Sequence, residues 1–187
     1  MTPAAGFFGK IPSRGDFVRH GLPADFVTAL DGWWQRVLPI GRSRLGEGWT
    51  DCWMVAPVWR FALPPGCCGA GAAVGLWLPS IDRAGRLFPL TIALVGRNWQ
   101  DVGSSLQFLD RVEAIGIGAV EEDVEPGALG AAVAHAAALG GDPVAPPAGV
   151  SRWWTAGSPL VAASTRELRA MPDGNEFTAM LRDAGES

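Results

Sequence analysis

Three consecutive pieces decide the reading of this chain: Ala72-Ala73-Val74-Gly75-Leu76-Trp77-Leu78, Pro79-Ser80-Ile81-Asp82-Arg83-Ala84-Gly85-Arg86, and Leu87-Phe88-Pro89-Leu90-Thr91-Ile92-Ala93-Leu94-Val95. The outer two are short apolar runs rich in strand-forming residues. The middle one combines Pro, Ser, Asp and Gly in the manner of a tight turn. A parallel crossover needs about a dozen residues or more, so a link this short makes the two strands antiparallel neighbours.

Working outward, Val55 to Leu63 is a further strand candidate, with Pro57 at a strand start or a sheet edge and Pro64-Pro65-Gly66 ending it. Ala5-Gly6-Phe7-Phe8-Gly9 reads as a strand feeding the polar loop Lys10-Ile11-Pro12-Ser13-Arg14-Gly15-Asp16. Pro23 suits a first helical turn, and Phe26, Leu30, Trp33 and Val37 recur at helical spacing, which predicts an amphipathic helix ending near Pro39. Asp101 to about Glu122 predicts a second helix, weakened by Gly116 and Gly118, and Ala128–Leu139 a third, stopped by Gly140-Gly141. Asp142–Gly149 reads as an ordered connector. Ser151–Thr155 and Leu160–Ser164 offer two more strands before a terminal helix near Asn175 to Arg182. Two short strands and a helix bury too little apolar area to stand alone, so this tail must complete the same core. The expected fold class is therefore α/β of the α+β type. We expect a single domain over residues 1–187, with a central, mainly antiparallel sheet and helices packed on one or both faces.

A chain of 187 residues buries about 70% of its unfolded surface, enough for one sizeable core. The formal net charge is −4 and Lys10 is the single lysine, so no basic field exists to neutralise phosphates, and nucleic acid is not an expected partner. Met1-Thr2-Pro3-Ala4-Ala5-Gly6 lacks the features of a signal peptide, and no run of 18 apolar residues occurs, which places the protein in the cytoplasm with no membrane insertion. Cys52, Cys67 and Cys68 are odd in number and two are adjacent, which suits neither a disulfide framework nor a zinc site; they read as reduced, buried thiols.

Reactive chemistry finds little support. Gly6-Phe7-Phe8-Gly9-Lys10 superficially resembles a phosphate loop, but Ile11 and Pro12 follow the lysine, and Pro12 offers no N–H to a phosphate. His20 and His135 lack a second ligand at helical spacing, and Glu121, Glu122, Asp123 and Glu125 look like a solvated helix end. No nucleophile elbow is present. A Ser80, Asp82, His20 triad stays open geometrically, although turn capping explains Ser80 and Asp82 more simply. No cofactor or metal is expected.

Nine tryptophans are the oddest feature of the composition. Trp33-Trp34 fall on the helix stripe, Trp49, Trp53, Trp59 and Trp77 could line the sheet, and one of Trp153 and Trp154 should point outward as a partner anchor. The pairs Arg14/Asp16 and Asp82/Arg86 each bracket a turn and read first as local charge-assisted braces.

Five blocks stand in order along the chain. They are Gly6-Phe7-Phe8-Gly9-Lys10-Ile11-Pro12-Ser13-Arg14-Gly15-Asp16-Phe17, then Gly21-Leu22-Pro23 with the Trp33-Trp34 helix, then Ala56-Pro57-Val58-Trp59-Arg60-Phe61. Pro79 to Leu90 and Trp153-Trp154-Thr155 complete them. Together, over residues 6 to about 182, they resemble the TagF family of proteins associated with type VI secretion. That resemblance implies an accessory regulator that represses assembly of the secretion system after translation by engaging the forkhead-associated scaffold protein Fha. It supplies no catalytic residues. Some members are fused to a PppA-type serine/threonine phosphatase, a unit expected to be absent here. The expected partner-binding residues are Lys10, Arg14, Asp16, Asp82, Arg83 and Arg86, on loops gathered at one end of the sheet, with Trp153. The alternatives are a structural component of the secretion apparatus, and a small hydrolase or nucleotide-binding switch built on Lys10, Ser80, Asp82 and His20.

Overall fold

The computed structural model describes residues 3–102, 106–139 and 149–183. Seven strands form one sheet: β1 (Ala4–Gly9), β2 (Val18–His20), β3 (Trp59–Leu63), β4 (Ala72–Leu78), β5 (Leu90–Gly96), β6 (Ser151–Thr155) and β7 (Ser164–Leu168). Their order is β2-β1-β5-β4-β3-β6-β7, and every neighbouring pair is antiparallel. β4 and β5 sit inside the sheet in the register Trp77↔Thr91 and Gly75↔Ala93. Every residue of both strands is buried, because helices cover both faces, and this explains their continuous apolar runs in the sequence. The class is α+β, in three layers.

One face carries α1 (Ala24–Leu45), α2 (Trp49–Met54) and α6 (Gly174–Leu181); the other carries α3 (Trp99–Val102), α4 (Leu106–Glu121) and α5 (Pro126–Ala138). α1 does not stop at Pro39 but runs through it to Leu45. An internal proline removes one helical hydrogen bond, yet the buried stripe continues beyond it, with Gly41 seated against the rings of Phe177 and Trp49. Trp49 and Trp53 lie on α2, a helix the sequence reading did not anticipate, whereas Trp59 and Trp77 are on the sheet as expected. The expected helix from Asp101 to Glu122 is divided between α3 and α4.

The tail does complete the core. β6 pairs with β3, α6 packs against α1, and Asp173 caps α6 in a reciprocal box with Glu176. The second tail strand is Ser164–Leu168, not Leu160–Ser164; Ser158 and Val161 instead close a tight turn through mutual backbone hydrogen bonds. The connector Asp142–Gly149 lies outside the described residues except for Gly149. Among the described residues, no helix is long and apolar enough to cross a membrane.

Candidate charged loop site at one end of the sheet

The loop after β1 and the turn between β4 and β5 meet at the same end of the sheet, as the sequence suggested. Gly9 makes the first approach possible: its φ is +145°, and a Cβ there would run into the Pro89 carbonyl. The amide of Lys10 then donates to Pro89 O at 3.3 Å. In the opposing turn, Gly85 takes φ +79° and donates its N–H to Asp82 O at 2.8 Å, folding Asp82 back under Arg86.

Asp82 is the hub, 1% exposed. Its Oδ2 accepts from Lys10 Nζ at 2.7 Å and Arg86 Nε at 2.6 Å, while Oδ1 accepts the amides of Ala84 and Arg86, each at 2.9 Å. A carboxylate has about four acceptor positions, and all are used here. Burial pushes the Asp82 carboxyl upward, but the Lys10 ammonium, the Arg86 amide and guanidinium and the Ala84 amide outweigh it and hold the group well below the usual carboxylate range. Lys10 spans 72 residues to reach this partner. A buried charge must be paired, so the Lys10–Asp82 bond locks the two loops together.

Further ties reinforce the joint. Arg83 N donates to Arg14 O at 2.9 Å, the Arg83 guanidinium donates to Ser13 O, and that of Arg86 to Gly15 O. Ser13 Oγ reaches Val124 O at 2.7 Å, and Arg14 pairs with Glu125, so the link between α4 and α5 joins the same end. Arg14 is therefore not a local brace with Asp16. Asp16 is exposed and outside this network, whereas Asp82 and Arg86 do brace their own turn. Glu125, read from sequence as part of a solvated helix end, is an ion-pair partner.

Ser80, Asp82 and His20 each engage other partners. Ser80 Oγ donates to Lys10 O at 2.8 Å, and Asp82 has no lone pair left to orient a base. His20 belongs to β2, not to a loop; its ring stacks on Phe7 at 6.0 Å and lies against Gly130 of α5. Both nitrogens of Lys10 are engaged within the protein, Nζ with Asp82 and the amide with Pro89 O. Trp153, expected among the partner-binding residues, is 1% exposed and packs on Trp33 and Phe61 at centroid distances of 5.5 and 5.2 Å. Trp154 does face the opposite way, but it rests half-buried against the second helical layer. Because both faces of the sheet are covered, the alternation of β6 produces no free ring. Among the described residues no cluster of three or more His, Cys, Asp or Glu could hold a metal.

Phe17 is the residue that the sequence reading passed over. It is 51% exposed, lies 4.7 Å from Phe88 edge to face and 5.7 Å from Phe8 in a stack, and holds Lys10 Nζ 5.1 Å from its ring centre. Its place directly after the charged loop, in a position with no helical or strand period to bury it, was the available signal.

A model of the TagF N-terminal domain, described as type VI secretion system-associated, matches residues 6–136. A search of curated proteins found no match. Among solved structures, PA0076 from Pseudomonas aeruginosa PAO1 is 33% identical, with a TM-score of 0.84 over 98% of this chain and 96% of that one. The chain belongs to the TagF N-terminal domain family, whose members are associated with type VI secretion.

Proposed function

We propose that this domain is a non-catalytic, cytoplasmic repressor of type VI secretion that acts by binding the forkhead-associated scaffold protein Fha through its charged loop end. The observation that carries the reading is the saturated Asp82 hub. Four donors saturate Asp82, Lys10 among them bridging the two loops. Phe17 is exposed at the border of the joint, and the guanidinium groups of Arg14 and Arg86, themselves tied into it through Glu125, Asp82 and Gly15, remain partly exposed. Aromatic and arginine side chains on a preorganised surface are the composition of binding hot spots, since little conformational freedom is lost on docking. Fha as the partner and repression as the outcome are what family membership suggests.

Purified Fha on a biosensor surface tests this. The wild-type chain binds, Arg14→Glu/Arg86→Glu weakens binding by about 100-fold, and Phe17→Ala by about tenfold, as hot-spot losses of roughly 1.4–3 kcal/mol imply. Unchanged binding by these variants would move the interface elsewhere on the domain. No binding by the wild-type chain would remove Fha as the partner.

A further inference from the structure

Beside the charged end, a groove of about 350 Å³ opens between the close of α2 and the last turns of α4. Trp53, Val58 and Leu78 line it, and Met54 and Ile117 line its exposed edge, at 59% and 37% exposure. Glu121 is the single charged residue among those lining it. The exposed Glu122 and Asp123 follow directly, and none of the three carboxylates forms an ion pair among the described residues.

We propose that this groove docks a basic amphipathic helix of a partner protein, with its apolar side against Met54 and Ile117 and its Lys or Arg side toward Glu121, Glu122 and Asp123. Three observations select that occupant. The strand beneath the groove is β4, paired on both edges by β3 and β5, so an incoming segment finds no free sheet edge and must bind through side chains. A methionine at the edge of an apolar groove adapts to varied helical anchors. The unpaired acidic lip supplies a field that attracts a basic segment and repels an acidic one. A second copy of this chain is a poor fit, because its net charge is −4 and would oppose the acidic lip. The groove adjoins the loop end, since Pro79, Ser80 and Ile81 also line it, and the peptide test is made without Fha so that the two sites are read apart.

The test uses fluorescence anisotropy with labelled peptides of about 16 residues, carrying leucine at i, i+3, i+4 and i+7 and lysine elsewhere. Two control peptides replace every lysine by glutamate or every leucine by serine. The Leu/Lys peptide is expected to bind the full chain. Met54→Asn and Ile117→Asn each weaken it by about tenfold, a typical loss for one interface anchor. Glu121→Lys/Glu122→Lys shifts preference toward the Leu/Glu peptide. Both edge residues are exposed, so the variants keep their fold, checked by circular dichroism. No binding by the Leu/Lys peptide, binding unaffected by both Asn variants, or equal binding of the Ser/Lys peptide would overturn the proposal. So would concentration-dependent self-association lost in Ile117→Asn, which would assign the groove to a second copy.

Discussion

The two faces of the sheet are built by different means. The face under α1, α2 and α6 holds seven of the nine tryptophans: Trp33, Trp34, Trp49, Trp53, Trp59, Trp77 and Trp153. The face under α3, α4 and α5 is filled mainly by Val, Leu, Ile and small residues, with Trp99 and Trp154 only at its margin. On the aromatic face, indole N–H groups reach across the chain: Trp33 to Pro172 O at 2.7 Å, Trp59 to Met180 O at 2.9 Å, Trp53 to Ser80 O at 3.1 Å. Each of those rings therefore contributes area and a directional tie at once. On the aliphatic face the helices are held by close approach, as at Gly116 of α4, which leaves room for the methyl groups of Leu78 and Ile92. A face made of few large rings fixes the position of remote segments, whereas a face of many small contacts shares its energy widely.

The largest effect expected from this difference is at Trp33. Trp33→Ala leaves a cavity and orphans the Pro172 carbonyl, and it should destabilise the fold by about 3–5 kcal/mol in urea unfolding. A loss below about 1 kcal/mol would show that this ring contributes neither its packing nor its tie to Pro172. Next comes the hub where the loops close over the sheet. Asp82→Asn removes the counter-charge of the buried Lys10 and should cost about 3 kcal/mol at pH 7. The carboxyl is held low in the folded state, so its contribution is full above the unfolded value of about 3.9 and is lost as pH falls below it. Wild-type stability should therefore fall on acidification below about pH 4, with a shallower decline in Asp82→Asn.

A subtler contrast lies within the aromatic face itself. Trp59 bonds Met180 O, but the indole N–H of Trp34 has no hydrogen-bond partner among the described residues. Replacing each by phenylalanine removes similar volume, yet only Trp59→Phe strips a buried carbonyl of its donor. Trp59→Phe should be the more destabilising by about 1 kcal/mol in chemical denaturation. Equal losses would mean that the directional ties carry little and that area alone distinguishes the faces.

Legibility in the sequence followed the range of the interaction. The central hairpin of β4 and β5 was readable because an apolar run, a turn with its own glycine and a second run are all local signals. The meeting of the two charged loops was readable in outline, since both close strands at one end, but not the Lys10–Asp82 bond or the pairing of Arg14 with Glu125, 111 residues away. β2 escaped notice because Val18-Arg19-His20 is too short to show a period. At Pro39 a sound local rule was overridden by Gly41 packing beneath Phe177, a contact with a helix from the far end of the chain. One of Trp153 and Trp154 was expected outward, with Trp153 among the partner-binding residues, because alternation separates the two sides of a strand, but alternation does not say whether either side is uncovered.

The smallest test asks how each face yields. A Cβ on Gly41 of α1 would lie 2.9 Å from a ring carbon of Phe177 and 3.1 Å from one of Trp49. A Cβ on Gly116 of α4 would lie 3.1 and 3.2 Å from the terminal methyls of Leu78 and Ile92. Alanine in either helix gains about 1 kcal/mol of propensity over glycine. Planar rings wedged among other rings cannot turn aside, while methyl groups at the ends of side chains can shift by a few tenths of an ångström. Gly41→Ala should thus be net destabilising, because overpacking of about 1–3 kcal/mol exceeds the gain, and Gly116→Ala should fall within about 0.5 kcal/mol of the wild type. Differential scanning calorimetry on the two variants measures this directly. If Gly116→Ala proves the worse, the aliphatic face is the stiffer one, and the division between fixed rings and yielding methyls fails.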